Sequence, residues 1–403
     1  MSDVLKLTAV FIAILSLLRL KWNIGYVLLA ASGLLAIFYN MPFSALVSTL
    51  HATVTDTVTV KLFFSLTLIR VLETILRENR IMARMTEASR KLLKSKKAVI
   101  VSMPMLIGML PSLGGAYFSA PMVEEASKGL KMKPEEKGFI NYWFRHPWEY
   151  VLPLYPGILL ASALTGISLR SFMLANTAYA MLVIVTGFLF SMRGVNGQFE
   201  VRSGGPEAGA DLKGKKDLSS FLPLAIVLSL VMALNIELHY ALLAVIVPLW
   251  ALYRTSPARI VRTLRHGFAL EVIILIFGAM LFKFMMDSSG AVVRLSHHFG
   301  ESGVPALPVL IILPFISGLL TGLTVGFVGS TFPLLISIAG GAHLNEMTLA
   351  FAAGFLGVLL SPVHLCLVLT REYFKADAWG IYRRIVPASL IIMAAAFAEY
   401  FIL

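Results

Sequence analysis

The stretch Met103–Val123, MPMLIGMLPSLGGAYFSAPMV, begins as an apolar run fit to cross a membrane and then places Pro111, Gly114 and Gly115 where the helix should continue. Proline lacks an amide and clashes with the preceding turn, and glycine favours non-helical backbone, so this cluster ends the helix near mid-membrane. Unsatisfied backbone groups cost several kcal/mol each in hydrocarbon, so a break at that depth survives only inside protein or beside water. The spacing predicts that residues 97–130 form a hairpin that turns back.

Composition sets the class around that hairpin. The chain has 403 residues, of which 58% are hydrophobic and only 14% charged, with a mean hydropathy of +0.83. Apolar runs long enough to span a bilayer recur from end to end, which excludes a separate soluble domain and predicts an all-α polytopic membrane protein. The formal charge of +12 sits in short segments between apolar runs, a pattern of membrane topology that gives no reason to expect nucleic acid. Met1–Leu18 lacks a basic start and a small-residue cleavage site, so it reads as the first span. The one cysteine, Cys366, excludes an internal disulfide and a multi-cysteine metal site.

Helices are predicted near 2–19, 24–40, 57–78, a broken 134–167, and 171–191. A polar, Gly-rich cytoplasmic linker follows at 193–217, and the pattern resumes at 218–235, 237–254, 267–287, a broken 347–373, and 384–403. A second Gly/Pro-interrupted segment, 304–341, mirrors 97–130. Two repeats emerge, 1–192 and 218–403. In register, Pro42 falls on Pro257, Pro104 on Pro314, Gly108 on Gly318, Pro121 on Pro333 and Pro147 on Pro362. Prolines and glycines recurring at the same points of the helix order carry the match.

Basic residues test the layout. With both interrupted segments as re-entrant hairpins, one face receives the run from Arg77 to Lys97, Lys128–Lys137, the linker, Arg254–Arg265 and Arg371–Arg384. Cytoplasmic loops are enriched in Lys and Arg, so that face is the cytoplasmic one. Five spans per repeat then make the second repeat inverted, the plan of many secondary transporters, and place both termini outside an inner (cytoplasmic) membrane that the chain crosses many times.

Four breaks then need a common centre: Pro111–Ser119, Arg145–Pro156, Thr321–Pro333 and Leu359–Leu365. Half-helices starting there would aim N-terminal dipoles and amides at an anion, and preceding half-helices would offer carbonyls to Na⁺. The candidate binding residues are Ser112, Gly114, Gly115, Ser119, Arg145, His146, Glu149, Tyr150, Thr324, Gly329, Ser330, Thr331, Ser361 and His364. Basic groups outnumber the one acid, Glu149, which points to an anionic substrate. His146, His364 or Glu149 could relay a proton. No metal set is expected beyond Na⁺ at the backbone carbonyls of the hairpin tips. Arg70 with Glu73, and Lys283 with Asp287, share helix faces and are expected to pair structurally, with a gate or coupling role as the alternative.

Three helices, a hairpin, a broken helix and one more helix, repeated inverted, resemble the ion transporter superfamily, which includes the divalent anion/sodium symporters and gluconate permeases. Within it, MLPSLGGAYFSAPMVEEASKG and NYWFRHPWEYVLPLYPG look like an uncharacterised family of prokaryotic ten-span membrane proteins. The resemblance implies an elevator-type transport domain moving against a scaffold, a homodimer, and a site at the tips Ser112–Gly115 and Gly329–Thr331 with the breaks His146–Pro147 and Ser361–Pro362. The symporters carry Ser-Asn-Thr at both tips; here the first reads Pro-Ser-Leu-Gly-Gly and the second keeps Ser330-Thr331.

The expectation is a secondary transporter of a small organic anion, a carboxylate or sugar acid, coupled to Na⁺ or H⁺ and embedded in lipid. It needs no cofactor. A Na⁺/H⁺ antiporter is the nearest alternative, then a channel. An intramembrane enzyme ranks low because the chain has no H-E-x-x-H or G-x-S-x-G motif.

Overall fold

The computed structural model describes residues 3–93, 95–111, 115–191, 218–295 and 305–402; the expected linker at 193–217 and the first tip residues Ser112 and Gly114 lie outside them. Helices dominate the described residues. Among the described residues, four stretches are long and apolar enough to cross a membrane: Leu169–Ser191, Pro257–Ser288, Leu344–Phe374 and Ala378–Ile402. Shorter apolar helices, among them Ile24–Phe38, Leu238–Leu252, Ala306–Thr321 and Thr324–Ile338, accompany them. This is the make-up of a helical membrane protein.

Most expected elements appear within a few residues of their expected places: Asp3–Arg19, Ile24–Phe38, Thr57–Glu78, Leu222–Met232, Leu238–Leu252 and Leu270–Ser288. The last helix, Ala378–Ile402, starts earlier than expected because Asp377 accepts the Gly380 amide at 2.8 Å and caps it. Two helices were not anticipated, Phe43–Thr55 and Pro257–Gly267. Each starts directly after or at a proline, where the missing amide costs a helix nothing.

The chain doubles back twice as helix pairs, Lys96–Gly108 on Gly115–Ala126 and Ala306–Thr321 on Thr324–Ile338. The second turn differs from expectation. It falls at Gly322–Leu323, where Gly322 takes φ +62°, and Gly329, Ser330 and Thr331 lie inside the following helix. The left-handed backbone is open to glycine and strained for other residues. Ser330 and Thr331 instead satisfy themselves on their own helix, donating to the Gly326 and Phe327 carbonyls at 2.7 Å.

Two broken helices complete the interior. The first runs Pro134–Trp143, a short turn Trp148–Val151, then Pro156–Thr165; the second runs Leu344–Leu360 and Leu365–Phe374 around Ser361–His364.

Packing sorts the helices into two groups. Ile24–Phe38, Phe43–Thr55 and Thr57–Glu78 pack with Leu238–Leu252, Pro257–Gly267 and Leu270–Ser288. Here Gly25 and Gly278 let two backbones touch, since a Cβ on either would overlap the other helix's main chain. The hairpins and broken helices form the second group with Thr177–Ser191 and Ala378–Ile402. Pro156–Thr165 and Thr324–Ile338 also meet helices of the first group.

The expected Arg70–Glu73 pair is absent. Glu73 instead accepts from Arg77 at 2.6 Å, while Arg70 reaches the His266 carbonyl at 3.4 Å. Lys283 donates to the Ala163 carbonyl at 3.3 Å and keeps an electrostatic attraction to Asp287 one turn on.

Candidate functional site

One cavity of about 740 Å³ opens between the two groups. It is lined by Pro111 at the first hairpin turn, Gly322–Val325 at the second, Arg145, Glu149 and Tyr155–Gly157 at the first break, and His364–Cys366 at the second. The opposite wall comes from one face of Thr57–Glu78: Leu66, Ile69, Arg70, Glu73, Thr74 and Arg77, with Arg262 and His266 beside it. Three helices, Pro156–Thr165, Thr324–Ile338 and Leu365–Phe374, present their first residues to the space. Their unpaired amides and dipoles favour negative charge there.

The charged lining has a definite wiring. Glu149 Oε2 accepts from the Thr324 hydroxyl at 2.6 Å, which ties the first break to the second hairpin turn. Its Oε1 lies 3.8 Å from His146 Nε2. Arg145 is buried, and its guanidinium lies against Gly115, where any Cβ would overlap it. The Tyr155 hydroxyl donates to the Gly108 carbonyl, so the first hairpin is held to the break from its other limb as well. On the facing helix, Arg77 pairs with Glu73 at 2.6 Å and Arg262 with Glu78 at 3.3 Å. Four arginines thus face three glutamates around the cavity, with His266 and His364 added.

The two histidines bridge the breaks. His146 Nδ1 meets the Tyr142 carbonyl at 2.6 Å and His364 Nδ1 meets the Gly322 carbonyl at 2.7 Å. Their Nε2 atoms face each other at 3.1 Å. Both rings are buried, with His146 behind His364 as seen from the cavity lining.

Of the residues proposed from sequence, Arg145, Glu149, Thr324 and His364 line the cavity, His146 contacts it through His364, and Gly115 packs on Arg145. Ser361 sits beside the Gly322 turn with its hydroxyl buried and unbonded among the described residues. The others do different work. Tyr150 packs edge-on against Phe355, with centroids 4.7 Å apart, away from the cavity. Gly329 faces Leu28 of the first group. Ser330 bonds Ser317 at 2.8 Å and joins the limbs of the second hairpin. Ser119 donates to Asn141 Oδ1 at 2.6 Å.

Asn141 was not anticipated. Fully buried, it also donates to the Ala116 carbonyl and to Thr370 Oγ1, each at 2.9 Å, and so clips the first hairpin to both broken helices. An Asn inside an apolar helix is the signal that marks such a residue, because burying it unpaired is costly. Arg70 and Glu73 were read first as a structural pair, and Arg77 as the start of the basic run to Lys97. Their spacing of three and four, with Leu66, Ile69 and Thr74, is that of one helix face. Cys366, two residues after His364, was the third omission.

The chain belongs to the family described as protein of unknown function (DUF401), whose model matches residues 1–402. No curated protein matches it.

Proposed function

We propose that the protein is a secondary transporter of a small organic anion, a carboxylate or sugar acid, coupled to Na⁺ or H⁺. The observation that carries this reading is a cavity on which two hairpin turns and two helix breaks converge, three of its walls being helix N-termini. Irregular backbone gathered around one space with a few charged groups inside a bilayer is how transporters bind an ion and its substrate at mid-membrane. Arg145, the N-terminal amides and Thr324 would hold the anion. Glu149 and the histidine pair would carry the coupling proton, or carbonyls near Gly322 and Ser361 the sodium.

Several features support two inverted repeats and placement in the ion transporter superfamily. Both unanticipated helices, Phe43–Thr55 and Pro257–Gly267, fall at the matched prolines Pro42 and Pro257. Pro104 and Pro314 lie inside the first limbs of the hairpins, Pro121 and Pro333 inside the second. The two packing groups suit an elevator in which hairpins and broken helices move against a scaffold that dimerises. The scheme has ten spans in an inner membrane with both termini outside; a reporter fused to the C-terminus should read as extracytoplasmic, and a cytoplasmic signal would overturn the inversion.

Glu149 and Glu73 on the cavity wall favour a second reading, Na⁺/H⁺ antiport. Uptake by purified protein in liposomes decides between them, using carboxylates, sugar acids and inorganic anions under imposed Na⁺ or proton gradients. Gradient-driven accumulation of one organic anion supports symport. Cation exchange with every organic anion excluded from the medium supports the antiporter and overturns the first reading.

A further inference from the structure

The two histidines raise a problem of lone pairs. A carbonyl oxygen only accepts, so the Nδ1 atoms that meet Tyr142 and Gly322 at 2.6 and 2.7 Å must both carry hydrogen. In the neutral rings both Nε2 atoms are then unprotonated acceptors, and they point at one another 3.1 Å apart inside the protein. A donor or a cation belongs between them. A shared proton would need only these two atoms, but a third soft donor has converged on the same point: Cys366 Sγ and the two histidines offer ligand atoms all within 4.8 Å of one another.

We propose that His146, His364 and Cys366 form a binding site for a transition-metal cation of the Zn²⁺ type. Zinc–nitrogen bonds of about 2.0–2.1 Å in a tetrahedron put two imidazole nitrogens about 3.3 Å apart, close to the separation found here. The thiolate needs about 3.5 Å from each nitrogen, so the three atoms, now within 4.8 Å of one another, would draw together on the ion. Each histidine has the carbonyl partner that fixes a ligating ring through its other nitrogen. Glu149 Oε1, 3.8 Å from His146 Nε2, is placed to be a fourth ligand or to hold a metal-bound water. Cys366 and His364 line the cavity, which gives the ion its way in. Through the Gly322 carbonyl the site also grips the second hairpin turn, so an occupied site would hold that turn against both breaks.

An occupied site would leave the coupling proton to Glu149 rather than to the histidine pair; the proposal does not rest on the transport reading, since a protein that moves no anion could still hold the ion. Its test uses untagged full-length protein in detergent, equilibrated with Zn²⁺, desalted and analysed for metal. One Zn²⁺ per chain is expected, with affinity falling at least ~10-fold in His364→Ala and Cys366→Ser. Replacement by Co²⁺ should give a thiolate-to-cobalt absorption in the near ultraviolet that Cys366→Ser abolishes, a substitution of one atom that leaves packing intact. Wild-type protein that retains no Zn²⁺, or retention unchanged in both variants, overturns the site.

Discussion

The two breaks differ in a way that helix order alone does not suggest. The first, residues 144–155, is long, contains its own short turn, and carries Arg145, His146 and Glu149. The second, residues 361–364, is short, carries one histidine, and leans on the Gly322 turn through a backbone carbonyl. One half thus contributes charge and the other contributes fixed geometry. If the two halves are the repeats proposed above, they are filled asymmetrically, and the cavity draws on both, because Glu149 of the first break is anchored on Thr324 of the second hairpin.

Breaking the charged half should have the largest effect. Arg145→Ala removes a buried cation that packs on Gly115, and uptake should fall at least ~100-fold, since an intramembrane guanidinium is costly to keep without a function. Arg145→Lys should recover little, because a point ammonium cannot reproduce the planar fork. Uptake near wild type in Arg145→Ala would remove charge from the first break's role.

Breaking the geometric half comes next. Gly322→Ala forces a side chain into left-handed backbone, with its Cβ 3.0 Å from His364 Cα. That costs about 1–2 kcal/mol and should lower the detergent melting temperature together with uptake. A variant as stable as wild type would mean that the turn sits elsewhere.

Glu149→Gln tests the link between the halves. It keeps an acceptor for Thr324 but removes the charge that strengthens the bond, a difference of roughly 1 kcal/mol. Uptake should slow several-fold and lose its dependence on the proton gradient if H⁺ is the coupling ion. Smallest is Ser330→Ala, which deletes a hairpin-limb hydrogen bond away from the cavity and should cost about 0.6 kcal/mol, with transport retained.

Much of this frame could be read from the chain because prolines and glycines act locally. Pro111, Pro147, Pro156 and Pro362 announce breaks whatever surrounds them. The second turn was misplaced because TGLTVGFVGSTFP offers three glycines, and local rules do not say which will go left-handed. The Ser330 and Thr331 hydroxyls, which looked like ligands, can equally bond the carbonyl four residues back and stay helical. Arg145, Glu149 and His364, which line the cavity, were singled out because ionised or ionisable groups in apolar segments need a reason. The facing wall was not found, since Arg70, Glu73 and Arg77 meet the breaks only after long-range packing. Cys366 was hidden for the same cause: its partner histidine comes from the other half of the chain.

The cavity's single cysteine provides the most direct test. Cys366 lines the space on which both hairpins converge, and no other thiol competes with it. In proteoliposomes of chelator-treated, metal-free protein, a membrane-impermeant maleimide applied from either side should label Cys366 slowly, and an anion found to be transported should retard labelling from both sides. Labelling from one side alone, or labelling indifferent to every transported anion, would contradict a cavity that opens alternately to the two faces.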